Sequence, residues 1–150
     1  MTNLSRKELV MGYYTKGSSC VKDAAFLFKN NHWQCYDVLL LNGLELLFKS
    51  FILLKDGSIE NDDLKKYGHN YLKAYRRCLE LDDEKTISNG EFKNQLEFLY
   101  NFWEPDPIKS RYAERRGLRH FPKDIFIGAE KNIINPMFAL VNDHYKSFDK

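Results

Sequence analysis

The stretch from Tyr36 to Leu54, YDVLLLNGLELLFKSFILL, is apolar almost all the way round. A helix with that character is normally the buried member of a bundle. It is also long enough to raise the question of a membrane span. Glu45 and Lys49 near its middle would each cost roughly 2.5–3.5 kcal/mol to insert, and Asn42 and Ser50 add to that. The segment therefore reads as the central helix of a globular core. At about 100° per residue, Asn42, Glu45, Lys49 and Asp56 fall within about 60° of one another. Glu45 stands four residues before Lys49, the favoured orientation for a helical ion pair. The central helix should carry one polar stripe. It is either a Glu–Lys pair on the least buried edge or a seam that meets another subunit or a ligand.

A chain of 150 residues is one domain and can bury a sizeable core. With 43% hydrophobic and 15% aromatic residues it is globular, not disordered. Four prolines and eight glycines are too few for an all-β chain full of turns. The net charge of +2 does not by itself announce nucleic acid. Its distribution is more informative, because residues 104–123 hold six Lys and Arg against three Asp and Glu. Cys20, Cys35 and Cys78 are widely spaced, without a C-x-x-C pair, which suits reduced thiols rather than a zinc site or disulfide framework. The opening MTNLSRKELVMGYY lacks the apolar core of a signal peptide. A cytoplasmic protein with no membrane association is expected.

Taken in order, Ser5-Arg6-Lys7-Glu8 has the capping-box spacing that starts a helix. Val10, Tyr14, Gly17, Val21, Ala24 and Phe28 continue one face of it at steps of three and four. Gly17 suggests a close helix–helix approach, and Asn30-Asn31 ends the helix. His32 and Trp33 lead into the central helix, which stops at Lys55-Asp56-Gly57-Ser58. So short a link implies antiparallel neighbours. Asn61-Asp62-Asp63 offers the next N-cap, and Tyr71, Leu72, Tyr75, Cys78 and Leu79 form the stripe of a third helix that starts near His69. Ser88-x-x-Glu91 is a second capping box, before a fourth helix with Phe92, Leu96, Leu99 and Trp103 on its buried face. Pro105 and Pro107 stop it. Asp124 caps the last helix, with Ile127, Ile134, Met137, Val141 and Tyr145 on one side and a kink or break at Pro136. The fold class is an all-α, single-domain bundle of about five helices over residues 1–150.

Chemistry-bearing motifs are sparse. There is no Gly-rich phosphate loop, H-E-x-x-H, G-x-S-x-G or Rossmann fingerprint, and no cofactor or metal is expected. Asp62-Asp63 and Asp82-Asp83-Glu84 fall at helix ends, where they serve as caps and solvated turns. His69, beside Gly68 at a helix start, is expected to cap or pack. In EPDPIKSRYAERRGLRHFPK, Arg111, Arg115, Arg116 and Arg119 are interleaved with Tyr112, His120 and Phe121. Guanidinium forks suit phosphate oxygens and aromatic rings suit bases, so this segment could hold RNA or a nucleotide. The bland alternative is a charged surface loop whose arginines pair with Glu104, Asp106 and Glu114.

Four long helices, a central Glu–Lys pair four apart, then Gly68-His69-x-x-Leu72, Arg111-Tyr112 after helix four and a long final helix follow one another in this chain. That order resembles the HEPN superfamily, small α-helical bundles of prokaryotic defence, toxin–antitoxin and nucleotidyltransferase-partner proteins. YYTKGSSCVKDAAFLF before LLNGLELLFKSFIL is similar to abortive-infection relatives within it. The resemblance covers roughly residues 10–145.

The resemblance implies a functional alternative that turns on one motif. Catalytic members carry an Arg, four to six residues, then a His, and cleave RNA without a metal at a site commonly built across a homodimer. The His acts as general acid or base and the Arg stabilises charge on the phosphate. Arg115 and His120 match that spacing. Arg116 stands where active members favour a small polar residue, and Gly117 and Pro122 oppose a regular helix presenting both side chains. Arg-Tyr, as at Arg111-Tyr112, looks like the nucleotidyltransferase-partner or binding forms. The expectation is a homodimer, packed partly through helices two or five, that binds RNA or a nucleotide through Arg111, Tyr112, Arg116 and Arg119. It would act with a nucleotidyltransferase or antitoxin partner and without cleaving. The alternatives are a metal-independent endoribonuclease using Arg115 and His120, and an interaction module for an acidic partner protein.

Overall fold

Ser5 opens the first helix of the computed structural model, which describes residues 4–30, 36–103 and 124–146. Its backbone N–H donates to Glu8 Oε2 at 2.7 Å while Glu8 N–H returns to Ser5 Oγ. This is the reciprocal box the sequence predicts. Helix α1 (Arg6–Lys29) runs to the cap at Asn30. The central helix α2 (Tyr36–Lys55) comes back antiparallel beside it, with Ser50 Oγ donating to Val10 O at 2.8 Å. Gly17 and Gly43 lie back to back where the two helices come closest. Only the lack of a Cβ lets the backbones approach that far.

A 3-10 turn (Asn61–Tyr67) leads into α3 (Tyr71–Leu81), then α4 (Gly90–Trp103). Cys78 Sγ donates to Phe48 O at 3.4 Å, and the Phe48, Tyr75 and Phe92 rings pass from α2 through α3 to α4 with centroids 5.1 and 5.9 Å apart. Aromatic pairs at this spacing add about 0.5–1.5 kcal/mol beyond their area. The last stretch is α5 (Asp124–Ala129), a π turn (Glu130–Ile134) and α6 (Asn135–Lys146). Gly128 of α5 sits against Phe92 and Gln95 of α4. Tyr14 OH donates to Ile134 O at 2.8 Å, bringing the end of the chain back to α1. The result is an all-α single domain with no strand among the described residues. No helix there is long and apolar enough to cross a membrane.

Four sequence expectations change. Asn89, not Ser88, caps α4, its Oδ1 accepting Phe92 N–H at 2.9 Å. Ser88 instead donates its N–H and Oγ–H to Asp82, whose buried carboxylate also takes Thr86 N–H and Ile87 N–H. Asn70, not His69, caps α3, through Lys73 N–H. Pro136 neither breaks nor splits the last helix. The π turn just before it, closed by Asn135 N–H to Glu130 O, gives the ring the room that an α turn would deny. That turn also resets which side faces inward. Ile125, Phe126, Ala129, Ile133, Met137 and Val141 are buried, and Ile127 and Tyr145 are exposed.

Candidate functional site

The polar stripe of α2 converges on the corner where the 3-10 turn meets α3. Glu45 is only 7% exposed, deeper than the least buried edge the sequence suggested. A carboxylate there must be matched by donors, because an unpaired buried charge is heavily penalised. It is matched on both oxygens. Lys49 Nζ donates to Oε1 at 2.6 Å, and His69 Nδ1 lies 3.1 Å from Oε2. Lys49 also donates to Gly68 O at 3.1 Å, so one side chain fixes the carboxylate and the turn that carries the histidine. Gly68 has φ +53, a left-handed backbone that favours glycine. Gly68-His69 is thereby pinned onto α2 by two bonds.

The histidine is held by its base and open at its tip. Its side chain is 67% exposed, so it neither caps nor packs. A carboxylate only accepts, so Nδ1 carries the proton and Nε2 is the ring nitrogen left for a ligand. Beside this corner, Tyr13 OH donates to Asn61 Oδ1 at 2.7 Å. Burial pushes the Tyr13 hydroxyl above its usual pKa, the Glu45 charge adds to that, and Asn61 opposes it. Tyr13 is therefore a neutral hydroxyl through the physiological range.

Lys66 and Lys73 flank the same corner. Lys73 Nζ donates to Lys66 O at 2.9 Å, and both ammoniums lie against the Tyr67 ring, 5.2 and 5.9 Å from its centre. The acidic residues of the turn are engaged elsewhere: Asp62 with Lys65 at 3.2 Å, and Asp63 with Glu60 N–H at 2.7 Å. Neither Lys66 nor Lys73 pairs with a carboxylate among the described residues.

At the far end of the stripe, Asp56 accepts from Ser58 Oγ–H and N–H and from Arg77 Nη2, at 2.5, 3.1 and 3.0 Å. The Ser58 hydroxyl first, then Arg77, hold its carboxyl down at about 2. Arg6 spans the end of α2. Its guanidinium donates to Leu53 O at 2.9 and 2.7 Å, to Ile59 O at 2.6 Å and to Asp56 O. Those carbonyls would otherwise end the helix without partners. This group is structural.

Arg111, Tyr112, Arg115, Arg116, Arg119 and His120, the predicted binding and catalytic residues, lie outside the described residues. Their segment joins α4 to α5. His32, Trp33 and Cys35 lie outside as well. Cys20 and Cys78 are free thiols. Among the described residues no three His, Cys, Asp or Glu side chains gather as a metal-ligand set. The sequence reading named Glu45, Lys49 and His69 separately but missed that they are one cluster. It assigned no role to Tyr13, Lys66 or Lys73, although Lys65-Lys66 before Gly-His and Lys73 after it were legible as a run of charge.

No family model, curated protein or solved structure matches this chain.

Proposed function

We propose that this domain is a HEPN-like helical module that binds RNA or a nucleotide and acts with a partner, without cleaving what it binds. The observation that carries the reading is the cluster at the α2–α3 corner. Glu45, Lys49, Gly68 and His69 are the residues on which the resemblance rests, and they meet within hydrogen-bond distance. A resemblance built on chance spacing would leave such residues scattered. The cationic segment 104–123 supports the reading from the other side. Six Lys and Arg among aromatic residues provide phosphate forks and stacking faces in one connection.

The homodimer belongs to this proposal in a narrower form. Helix α2 lies against α1, α3 and α6 of its own chain, so its all-round apolar character is used internally. Exposed Ile127 and Phe138 leave the last helix as the surface for a second copy. The partner protein is a nucleotidyltransferase or an antitoxin under the resemblance.

Titration of labelled single-stranded RNA and of ATP across a salt series tests the reading. Binding that weakens linearly with log salt is the expected result. No binding of either at low salt, alongside capture of an acidic polypeptide, would replace it with the interaction-module reading.

A further inference from the structure

We propose that Lys66, His69, Lys73 and Arg76 form a second phosphate-binding ridge at the α2–α3 corner, distinct from the 104–123 segment, that takes the backbone of single-stranded RNA. The inference rests on the reading that the domain binds RNA, and it deepens that reading by placing a contact on the folded scaffold.

Three features carry it. The first is that the corner is pre-arranged. The imidazole is tied at Nδ1 to a buried carboxylate, which is itself fixed by Lys49, and the turn beneath it is tied at Gly68 O. Lys73 is tied to Lys66 O, and both lysine stems lie over Tyr67. Side chains already held in place lose less entropy when they bind than free ones do. The second is the sign of the charge. Lys66, Lys73 and Arg76 are exposed and have no carboxylate partner among the described residues. Asp62 and Asp63 are turned to Lys65 and to the Glu60 N–H, and Glu45 is already saturated. The third is the order along the surface. Lys73 and Arg76 are one turn apart on α3, where such neighbours lie about 5–6 Å apart at Cβ. Lys66 and His69 extend the same ridge back across the turn. Long cationic side chains in line can reach successive phosphates of one strand.

The geometry also says what each residue does. The lysines and Arg76 neutralise phosphate charge. His69 offers only Nε2, which as N–H donates to a phosphate oxygen and as a bare nitrogen accepts from a ribose 2′-hydroxyl. Glu45 and Lys49 are positioning residues, since neither reaches the ligand.

The test uses fluorescence anisotropy with a labelled single-stranded RNA, and ATP as a separate probe, on the full chain. Circular dichroism verifies that each variant is folded. Lys66→Gln/Lys73→Gln should lower the slope of log affinity against log salt by roughly 1.4, about 0.7 for each cation removed from a single strand. His69→Gln should weaken RNA binding by roughly tenfold, the scale of one hydrogen bond to a charged group. Lys93→Gln, on the exposed side of α4, should leave both unchanged. RNA binding by the unaltered chain with no change in the double variant or in His69→Gln overturns the ridge while the RNA-binding reading stands. An equal loss in Lys93→Gln overturns it in favour of diffuse charge. Loss of ATP binding with RNA binding intact overturns it in favour of a mononucleotide site. No binding by the unaltered chain overturns both.

Discussion

Gly17 and Gly43 each occupy the space a side chain on the other would need. A methyl group on Gly17 would stand 2.9 Å from Gly43 O, and one on Gly43 would stand 2.8 Å from Gly17 O. Neither contact can be relieved by turning a flexible side chain, because both oxygens are backbone. The two helices would have to move apart.

Gly17→Ala or Gly43→Ala should therefore destabilise the fold by about 1–3 kcal/mol, the scale of overpacking a tight core. The gain in helix propensity from alanine, about 1 kcal/mol, offsets part of this. Thermal unfolding should show a midpoint lowered by about 2–4 °C per kcal/mol in a chain of this size. Gly12, with open space around its Cβ position, is the control: Gly12→Ala should raise the midpoint.

Arg6→Ala should remove a guanidinium that satisfies the carbonyls of Leu53, Asp56 and Ile59. A loss of roughly 2–3 kcal/mol in urea unfolding is expected, the range for charge-assisted bonds. Arg6→Lys should recover little, because an ammonium cannot reach carbonyls arranged around a planar fork.

Acid should destabilise the chain through Asp56 and Asp82. Asp56 is held at about 2 by Ser58 and Arg77. Burial pushes the Asp82 carboxyl up, but donors from Ile87, Ser88 and Thr86 outweigh it and leave it lowered. Both then titrate lower when folded than the ordinary 3.8. The unfolded chain binds more protons between these values, so the stabilisation is complete above about pH 4 and disappears as pH falls toward about 2. Urea midpoints measured across that window should fall steeply for the unaltered chain. They should fall less steeply for Asp56→Asn and Asp82→Asn, and an unchanged slope in both would assign the acid response to other carboxylates.

Arg115→Ala and Arg116→Ala should each weaken RNA or nucleotide binding and lower the salt slope by about 1 or less. The unaltered chain should leave RNA intact in EDTA from about pH 6 to about pH 9, where a histidine acid–base site would be active. Cleavage to cyclic phosphate ends, reduced roughly 100-fold or more by His120→Ala, would instead establish the endoribonuclease alternative.

Sedimentation should give a dimer that Phe138→Glu dissociates. A strict monomer at high micromolar concentration would remove the second copy from the proposed function.

Periodicity revealed the helices because each buries a continuous stripe. The α1 face through Val10, Tyr14, Gly17, Val21 and Ala24 was legible for that reason. It could not reveal which polar residue serves which helix end, since Ser88, Asn89 and Asp82 compete for the same donors and only the turn between α3 and α4 decides. The phase of the last helix was hidden for a related reason: a π turn has no hydrophobic signature. At the candidate site, the Glu45–Lys49 pair followed from helical spacing. Its bond to His69 spans 24 residues, and a distance set by tertiary closure leaves no periodic trace.

The wide turn at Glu130–Ile134 makes the end of the chain sensitive to length rather than to identity. Deleting one residue there would restore ordinary α geometry and swing everything beyond it by about 100°. Met137 and Val141 would leave the core, and Pro136 would meet the carbonyl four residues back at a cost of about 3 kcal/mol or more. Exchanging one exposed side chain for another along α6 leaves that registration alone. Insertions and deletions, not replacements, are the changes this helix cannot absorb.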